Sequence, residues 1–486
     1  MRTLVIDVGT SGLRAAIVHD DASVTDLRHE EFPASTPAPG LVEFDAEAMW
    51  QAVLRVALHA MGDTHVDAVG ITNQRASVVG WRRSTGIPIG PAIGWQDLRT
   101  VGDCIMARIN HGFTLAPNQS ATKIAWMLAN HLPDNQARAD DDILFGTVET
   151  WLAWKLSGGT VHVTDHTNAA VTGLTVADGS GWNGKVLDAL GIHAHQLPTI
   201  VPTSGQCAVA TALPGSPPVT ALVGDQQASL VGQGCITKGA AKITFGTGGM
   251  LDMFVGSEAP TDARRNADGT FPIVAFTTPD NHFYGVEGIM LSAGTNVEWL
   301  RDDMGLITSA AESDSVAAGV PTTDGVVYVP ALLGLGTPHW DYGARGALFG
   351  ITRGTTRAHI VRAVLEGVAH RGVDLIDAAE KDTGIAVTTV NVDGGMSRNA
   401  TFVQALADAA GRPVTVSPVT EATTLGAGLL AGTAAGQWGS VSDACSRIGG
   451  FRTVTPLGAP GVSRQQWGEA VSRARVWIPD LSALDF

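Results

Sequence analysis

Two short stretches, VGTSGLRAAIV at Val8–Val18 and FGTGGMLDMFV at Phe245–Val255, decide how the rest of the chain is interpreted. Each contains an apolar run, a Gly-Thr-small-Gly turn and a second apolar run, which predicts a β-hairpin. One copy alone would be an ordinary hairpin turn. Because the copies lie about half a chain apart, they predict two similar domains. Each domain would carry a turn whose backbone N–H groups suit phosphate oxygens.

Length and composition agree with two domains and exclude several classes of protein. A chain of 486 residues is too long for one hydrophobic core. With 44% hydrophobic and 16% charged residues, the bulk of the chain is not disordered. The net charge of −16 opposes a nucleic-acid partner. Four scattered cysteines without a C-x-x-C pair favour a reducing cytoplasm and argue against structural zinc.

The apolar run at the start of the chain is interrupted by Asp7, and no run of apolar residues is long enough to span a bilayer. We therefore expect neither a signal peptide nor a membrane partner, and we predict a cytoplasmic protein.

Alternating β-rich runs and amphipathic segments predict an α/β fold. The predicted strands are Leu4–Val8, Leu13–Val18, Val66–Thr72 and Val387–Val392. The predicted helices are Asp45–Met61, Thr122–Leu132, Ala358–Glu380, Asn399–Ala410 and Thr424–Ala435. The glycine-rich stretch Gly232–Gly239 lacks apolar periodicity, which predicts a boundary between domains 1–236 and 237–486.

Standard nucleotide motifs are missing from the sequence. No G-x-x-x-x-G-K-[ST] occurs, which excludes a P-loop. Gly426-Ala427-Gly428 resembles a dinucleotide fingerprint, but it lies inside a predicted helix, so helix packing is the favoured interpretation.

Asp7 ends the first predicted strand, directly before the Gly-Thr turn. A carboxylate at this place suits Mg²⁺, which one or two carboxylates and substrate phosphates usually hold. The alternative is an Asp that only binds its own turn. Arg14, in the next strand, would either reach a phosphate or lie on the surface.

Asp225, in VGDQQ, follows a short apolar run and begins a predicted helix. The local sequence favours an N-cap, and the functional alternative is a general base. Polar clusters at Asn73-Gln74-Arg75 and Trp95-Gln96-Asp97 suit a ligand site at the end of a sheet. Asp393-Gly394-Gly395 is either a tight turn or a surface against which a flat ring lies.

Taken together, the motifs resemble the FGGY carbohydrate kinases, and most of all their glycerol kinase branch. The resemblance extends from Met1 to about Trp438, and GALFGITRGTTRAHIVRAVLE at Gly346–Glu366 is similar to the longer family signature. The other motifs that carry it are IDVGTSGLRAAIV, GITNQR, WQD, GTVETWLAWKLSGG, HVTDHTNAA, GDQQASLVGQG, ITFGTGG and VDGGMSRN.

The resemblance implies two actin-like ATPase domains, each built on a ribonuclease H-like sheet, with an interdomain cleft. It implies transfer of a phosphoryl group from ATP, with Mg²⁺, to a hydroxyl of a small polyol or sugar. The first domain would bind this acceptor, and the second would bind adenosine. The family often forms dimers or tetramers, so a homo-oligomer is expected.

The resemblance also implies roles for single residues. Asp225 would be the general base, and Asp7 and Asp225 would hold the metal ion. The acceptor would contact Gln74, Arg75, Ala76, Trp95, Asn118, Asp225 and Gln226. The nucleotide would contact Thr10, Ser11, Arg14, Gly246, Thr247, Gly294, Glu298, Gly394, Gly395 and Asn399.

Two departures put glycerol itself in question. Glycerol kinases follow the Asn-Gln-Arg triplet with Glu, where this chain has Ala76, and they have Tyr where it has Asn118. A binding pocket discriminates strongly between substrates only through hydrogen-bonding groups that it contains. We therefore expect a longer polyol or a ketopentose, with glycerol as an alternative. A catalytically weak ATP-binding or sensor protein and a plain nucleotide hydrolase are the other hypotheses.

Overall fold

The computed structural model describes residues 1–132, 140–419, 421–458 and 461–484. Its two largest sheets lie in different halves of the chain. The six-stranded sheet has the strand order Ser204–Val209, Pro218–Gly224, Ala68–Asn73, Arg2–Val8, Gly12–His19 and Val24–Glu31. The seven-stranded sheet has the order Phe271–Thr277, His282–Met290, Gly249–Gly256, Ala240–Phe245, Thr389–Asp393, Val414–Val416 and Arg452–Val454.

The two sheets repeat one topology. In the first sheet, Arg2–Val8 pairs antiparallel with Gly12–His19 and parallel with Ala68–Asn73. In the second, Ala240–Phe245 pairs antiparallel with Gly249–Gly256 and parallel with Thr389–Asp393. The α/β prediction and the prediction of two similar halves are confirmed. The boundary between residues 236 and 237 lies in the connection before Ala240 and stays a prediction.

The helices surround these sheets, and those predicted from the sequence begin and end within a few residues of the observed bounds. The α-helices are Ala46–Met61, Val101–His111, Ser120–His131, Val148–Leu156, His166–Ala170, Gly184–Leu190, Asp225–Gly232, Thr295–Asp302, Glu312–Ala318, Arg357–Thr383, Ala400–Ala410, Ala422–Ala434, Val441–Cys445, Arg464–Ala474 and Pro479–Ser482. The described residues also include two short 3₁₀ helices, Ala194–Gln196 and Gly395–Arg398.

The remaining strands form two-stranded sheets: Glu43–Phe44 with Ala92–Ile93, Val79–Arg82 with Ile143–Gly146, Val163–Asp165 with Thr199–Val201, and Val327–Val329 with Ala347–Phe349. Within the described ranges, no helix is long and apolar enough to cross a membrane.

Two helices join the halves: the Asp225 helix (Asp225–Gly232) and the Thr424 helix (Ala422–Ala434). The Thr424 helix comes from the second half of the sequence but packs against the first sheet, where Thr220 Oγ1 donates to Ala431 O at 2.9 Å. At the crossing with the Asp225 helix, a Cβ on Gly426 would lie 1.8 Å from Ala228 O. The prediction that Gly426-Ala427-Gly428 serves helix packing is confirmed.

Gly426→Ala tests this crossing. The added methyl group meets backbone rather than a flexible side chain, so we expect the free energy of unfolding to fall by roughly 1–3 kcal/mol, as in other overpacked cores. Urea denaturation measures it. Gly468→Ala is the matched control, because Gly468 lies in helix Arg464–Ala474 and a Cβ there meets nothing within 4 Å. A gain of about 1 kcal/mol for Gly426→Ala, as helix propensity alone predicts, would contradict the close crossing.

Candidate active site

Three neighbouring strands of the first sheet run parallel: Arg2–Val8, Ala68–Asn73 and Pro218–Gly224. Because the carboxyl ends of parallel strands share one edge of a sheet, residues that follow these strands lie close together. Arg75 Nε lies 3.4 Å from Asp225 Oδ1, and the negative charge of Asp225 also acts on Asp7. The structure therefore brings together the predicted base Asp225, the predicted metal ligand Asp7 and the predicted acceptor-binding residue Arg75.

Asp225 is the first residue of its helix, and the N-cap is Gly224. The N-cap interpretation of Asp225 is therefore wrong. Its Oδ1 accepts from the N–H of Gln226 at 2.8 Å. Burial raises the pKa of the Asp225 carboxyl, while the nearby Arg75 guanidinium opposes that rise.

Asp7 is buried at the end of the first strand, and its nearest cation is Arg14, whose Nη1 lies 3.6 Å from Asp7 Oδ2. Burial raises the pKa of Asp7 to about 7, Arg14 opposes this rise, and the charges of Asp225 and Glu421 add to it. A buried carboxylate that has a half-exposed Arg as ion-pair partner and other carboxylates nearby is an environment that a divalent cation would stabilise.

Among the described residues, no group of three or more His, Cys, Asp or Glu side chains is arranged to hold a metal ion. Asp7 and Asp225 are two carboxylates, which fits Mg²⁺ held partly by substrate phosphates. These two residues therefore fit the predicted metal site.

The first glycine turn follows Asp7. The N–H of Gly9 donates to Gly12 O at 3.0 Å, and the Ser11 carbonyl accepts from the N–H of Phe32. Thr10 Oγ1 accepts from the indole N–H of Trp95 at 3.1 Å. The predicted phosphate turn at Thr10 thus touches Trp95, one of the residues predicted to contact the acceptor.

The second glycine turn is built from three separate segments of the chain. Gly294 N–H donates to Gly246 O at 2.8 Å, and the carbonyl of Thr247 accepts from the N–H of Ala293 at 2.9 Å. Gly394 has φ +85°, and a Cβ there would lie 2.4 Å from Phe245 O. The structure therefore brings Gly246, Thr247, Gly294 and Gly394 together, with glycine required where backbones touch.

Three other predicted nucleotide residues lie around this turn. Gly395 begins a 3₁₀ helix, and a Cβ there would meet nothing within 4 Å. Asn399 caps helix Ala400–Ala410 by accepting from Phe402 N, and its Nδ2 donates to Ser313 Oγ at 3.0 Å. Glu298 is exposed on helix Thr295–Asp302. Their contact with adenosine stays a prediction.

Four residues predicted to contact the acceptor form what we call the acceptor wall: Gln74, Ala76, Trp95 and Asn118. Two buried serines hydrogen-bond to this wall. Ser77 Oγ donates to Gln74 Oε1 at 3.2 Å and accepts from the N–H of Trp95 at 3.0 Å. Ser120 Oγ donates to the carbonyl of Ala76 at 3.1 Å. Gln74, Ala76 and Trp95 are thereby fixed relative to one another.

Buried Lys123 adds Asn118 to this wall. Its Nζ donates to the carbonyls of Trp95 at 3.2 Å and of Asn118 at 3.1 Å. Burial lowers the pKa of Lys123 to about 7. In the WQD cluster, Asp97 instead accepts from Val42 N at 2.6 Å, so it holds a neighbouring loop.

Sequence reasoning missed a group of charged residues from the second sheet. Glu287 Oε2 lies 2.7 Å from Arg75 Nη2, and buried Lys242 lies 2.7 Å from Asp252 Oδ2. Burial raises the pKa of Glu287 to about 7, against the effect of Arg75. The sequence feature that could have identified these residues is a charged residue inside an apolar, strand-like run.

Sequence reasoning also missed the function of the HVTDHTNAA motif, which lies behind the predicted acceptor site. Asp165 accepts from Thr167 N at 2.9 Å and from Thr167 Oγ1 at 2.7 Å. The same hydroxyl accepts from the N–H of Gly224 at 2.8 Å, directly before Asp225. Asn168 exchanges side-chain hydrogen bonds with Asn73, two residues before Arg75. This network therefore fixes the backbone that presents both Arg75 and Asp225.

Two related sheets, each with a glycine turn, and carboxylates at strand ends define a two-domain, actin-like phosphotransferase. The sequence matches the N-terminal domain of the FGGY family of carbohydrate kinases over residues 2–232 and its C-terminal domain over residues 241–435. The chain belongs to the FGGY family of carbohydrate kinases.

Named relatives agree with this assignment. A glycerol kinase of Bordetella parapertussis is 40% identical over 500 residues, which cover 98% of this chain and 97% of that protein. A glycerol kinase of Trichlorobacter lovleyi is 40% identical over 496 residues, which cover 98% and 99%.

Solved structures agree as well. The ADP complex of Plasmodium falciparum glycerol kinase has a TM-score of 0.90 at 27% identity and covers 97% of this chain and 98% of its own. A ligand-bound xylulose kinase of Lactobacillus acidophilus has a TM-score of 0.84 at 20% identity, which shows the fold, and covers 97% of both chains.

The protein is therefore a carbohydrate kinase. It transfers a phosphoryl group from ATP, with Mg²⁺, to a hydroxyl of a small polyol or sugar. The predicted enzyme class and cofactors are confirmed.

Thr167→Val tests the network behind the acceptor site. Valine keeps the shape but leaves the Gly224 N–H without its acceptor, so the backbone before Asp225 loses its fixed position. We expect kcat to fall about tenfold, since a misplaced catalytic group costs rate. Steady-state ADP release measures kcat, and Thr167→Ser should restore it. Thr433→Val is the control, because that hydroxyl bonds only within its own helix. An unchanged kcat for Thr167→Val would contradict this role.

Proposed function

We propose that Asp225 is the general base of this kinase and that the acceptor is a small polyol or ketopentose bound between Trp95, Arg75 and Gln226. The observation that carries the proposal is the meeting of Asp7, Arg75 and Asp225 at one edge of the first sheet. Phosphoryl transfer depends on position and charge neutralisation more than on covalent chemistry, and this arrangement supplies both.

The environment of Asp225 suits a base. Burial raises the pKa of its carboxyl, which makes the carboxylate a better proton acceptor, and the Arg75 guanidinium at 3.4 Å opposes that rise. Its helix fixes the backbone, and the N–H of Gln226 holds one carboxylate oxygen. The second oxygen remains to accept a proton from a hydroxyl.

We also propose how the phosphate donor, ATP with Mg²⁺, is bound. Asp7 would hold Mg²⁺, with Asp225 nearby, while the turns at Thr10 and Ser11 and at Gly246 and Thr247 would bind phosphate oxygens. Mg²⁺ would neutralise charge on the phosphates when bound. Arg14, between Asp7 and Glu421 at 3.6 Å from each, is placed to balance charge at this edge. Adenosine would lie against Gly394 and Gly395.

Replacing the base tests the proposal. We expect Asp225→Ala to lower kcat for every accepted polyol by roughly 100- to 10,000-fold, because the acceptor hydroxyl loses its proton acceptor. ADP affinity, measured by calorimetry, should stay near that of the wild type. Asp280→Ala, at an exposed loop carboxylate, is the control. If Asp225→Ala keeps wild-type turnover, Asp225 is not the base.

The acceptor pocket differs from that of a typical glycerol kinase at two positions. Ala76 provides a methyl group in a left-handed backbone conformation with φ +61°, and Ser120 holds its carbonyl. Asn118 is exposed, and buried Lys123 holds its carbonyl. Because a carboxylate and an aromatic ring are replaced by smaller groups, we propose an acceptor longer than glycerol.

Glycerol is the second candidate. The named relatives at 40% identity are glycerol kinases, and Arg75, Asp225 and Gln226 are retained. A panel of glycerol, erythritol, xylitol, ribulose, xylulose and gluconate, assayed by ADP release, separates the two candidates. If no acceptor stimulates turnover, the chain is a weak ATP-binding or sensor protein.

Ala76→Glu tests the pocket directly. The new carboxylate would accept hydrogen bonds from glycerol hydroxyls, so we expect kcat/KM for glycerol to rise about tenfold and that for longer polyols to fall. Ala76→Leu is the matched control, because it fills the space without an acceptor. A loss of glycerol turnover in both variants would contradict this explanation of specificity.

We also propose a cytoplasmic location, supported by four cysteines that the structure leaves without disulfides. The homo-oligomer, as dimer or tetramer, stays a prediction from the family.

A further inference from the structure

A row of polar side chains crosses the second sheet and faces the first half of the chain. In register across neighbouring strands stand Asn391, Lys242, Asp252 and Glu287: Asn391 opposite Lys242, Lys242 opposite Asp252, and Asp252 opposite Glu287. Registered partners lie on one face of a sheet, so these four side chains form a continuous row. Lys242 and Asp252 are fully buried, and Glu287 is nearly so.

Three members of the row contact the first half. Glu287 Oε2 lies 2.7 Å from Arg75 Nη2, and Lys242 Nζ donates to Gln226 Oε1 at 2.7 Å. Asn391 Nδ2 donates to the carbonyl of Gln233, the residue that ends the Asp225 helix. The row therefore contacts that helix at both ends.

The proposed function uses Arg75 and Gln226, and both side chains are also held by residues of the second half. Glu287 Oε2 lies 2.7 Å from Arg75 Nη2 and so orients the guanidinium. Lys242 Nζ donates to the side-chain amide oxygen of Gln226, so the side-chain NH₂ of Gln226 is the group left to donate to a ligand. A buried charge keeps its place only with a partner, so Asp252 and Glu287 are the counterions of Lys242 and Arg75.

We infer that Glu287 and Lys242 are positioning residues of the acceptor site: the nucleotide half orients Arg75 and Gln226 for the acceptor hydroxyls. This inference rests on the proposed function of the same site. Acceptor affinity then depends on two residues that do not touch the acceptor, and Gln226 donates to an acceptor oxygen.

Glu287→Gln and Lys242→Met test the inference, with glycerol and xylulose as acceptors. Glu287→Gln removes the ion-pair partner of Arg75, and Lys242→Met removes the hydrogen bond to Gln226 Oε1. We expect the acceptor KM to rise roughly tenfold or more, while ADP affinity by calorimetry stays within about twofold of the wild type. Glu287→Asp keeps the charge and should recover part of the loss. Asp374→Asn is the control, because it breaks a buried ion pair with Arg371 in helix Arg357–Thr383.

The outcomes separate two failures. If the wild type turns over neither acceptor nor the rest of the panel, the proposed function fails and this inference fails with it. If the wild type is active and both variants keep its acceptor KM, only the inference is overturned. The inference is also overturned if the variants raise the acceptor KM and weaken ADP binding together, in the pattern that Asp374→Asn shows. That pattern would indicate general destabilisation. If Glu287→Gln does not fold, Glu287→Asp is the deciding variant, and its change in acceptor KM is compared with its change in ADP affinity.

Discussion

Backbone contact between the Asp225 helix and the Thr424 helix is the constraint on which the rest of the structure depends. Gly232 and Gly426 have no side chains, so Gly232 approaches Ala422 O and Gly426 approaches Ala228 O. The second sheet contacts the same Asp225 helix, through Lys242 on Gln226 and Asn391 on Gln233. Glu287 of that sheet contacts Arg75, the ion-pair partner of Asp225. A larger residue at the crossing would displace the helix that carries Asp225 and Gln226.

Close packing has an electrostatic consequence. It buries carboxylates at Asp7, Asp225 and Glu287 with few cations, and burial raises the pKa of each. Such an arrangement costs folding free energy that the hydrophobic cores of the two sheets must offset. In a phosphotransferase the same feature is useful, because Mg²⁺ and a proton-accepting carboxylate both require negative charge held in place.

The sequence was sufficient for features that depend on local patterns. The Gly-Thr turns at Thr10 and Thr247, the strand ends at Asp7 and Arg75 and the two related sheets could be predicted, because turn residues and apolar runs are neighbours in the chain. Asp225 was harder: local preference favoured an N-cap, but Gly224 takes that place and bonds to Thr167, a residue far away in sequence. The contacts of Glu287 and Lys242 depend on strand register and on the helix crossing, which no local pattern contains.

In the proposed function and the inference drawn from it, one acceptor site is built by both halves around Asp225. A crystal structure with Mg²⁺, a non-hydrolysable ATP analogue and an accepted polyol tests it most directly. We expect an acceptor hydroxyl within about 3 Å of the Asp225 carboxylate, or one water away, and in line with the γ-phosphate. We also expect hydrogen bonds to the acceptor from Arg75 and Gln226. A hydroxyl in line with the phosphate but beyond the reach of Asp225 would contradict it.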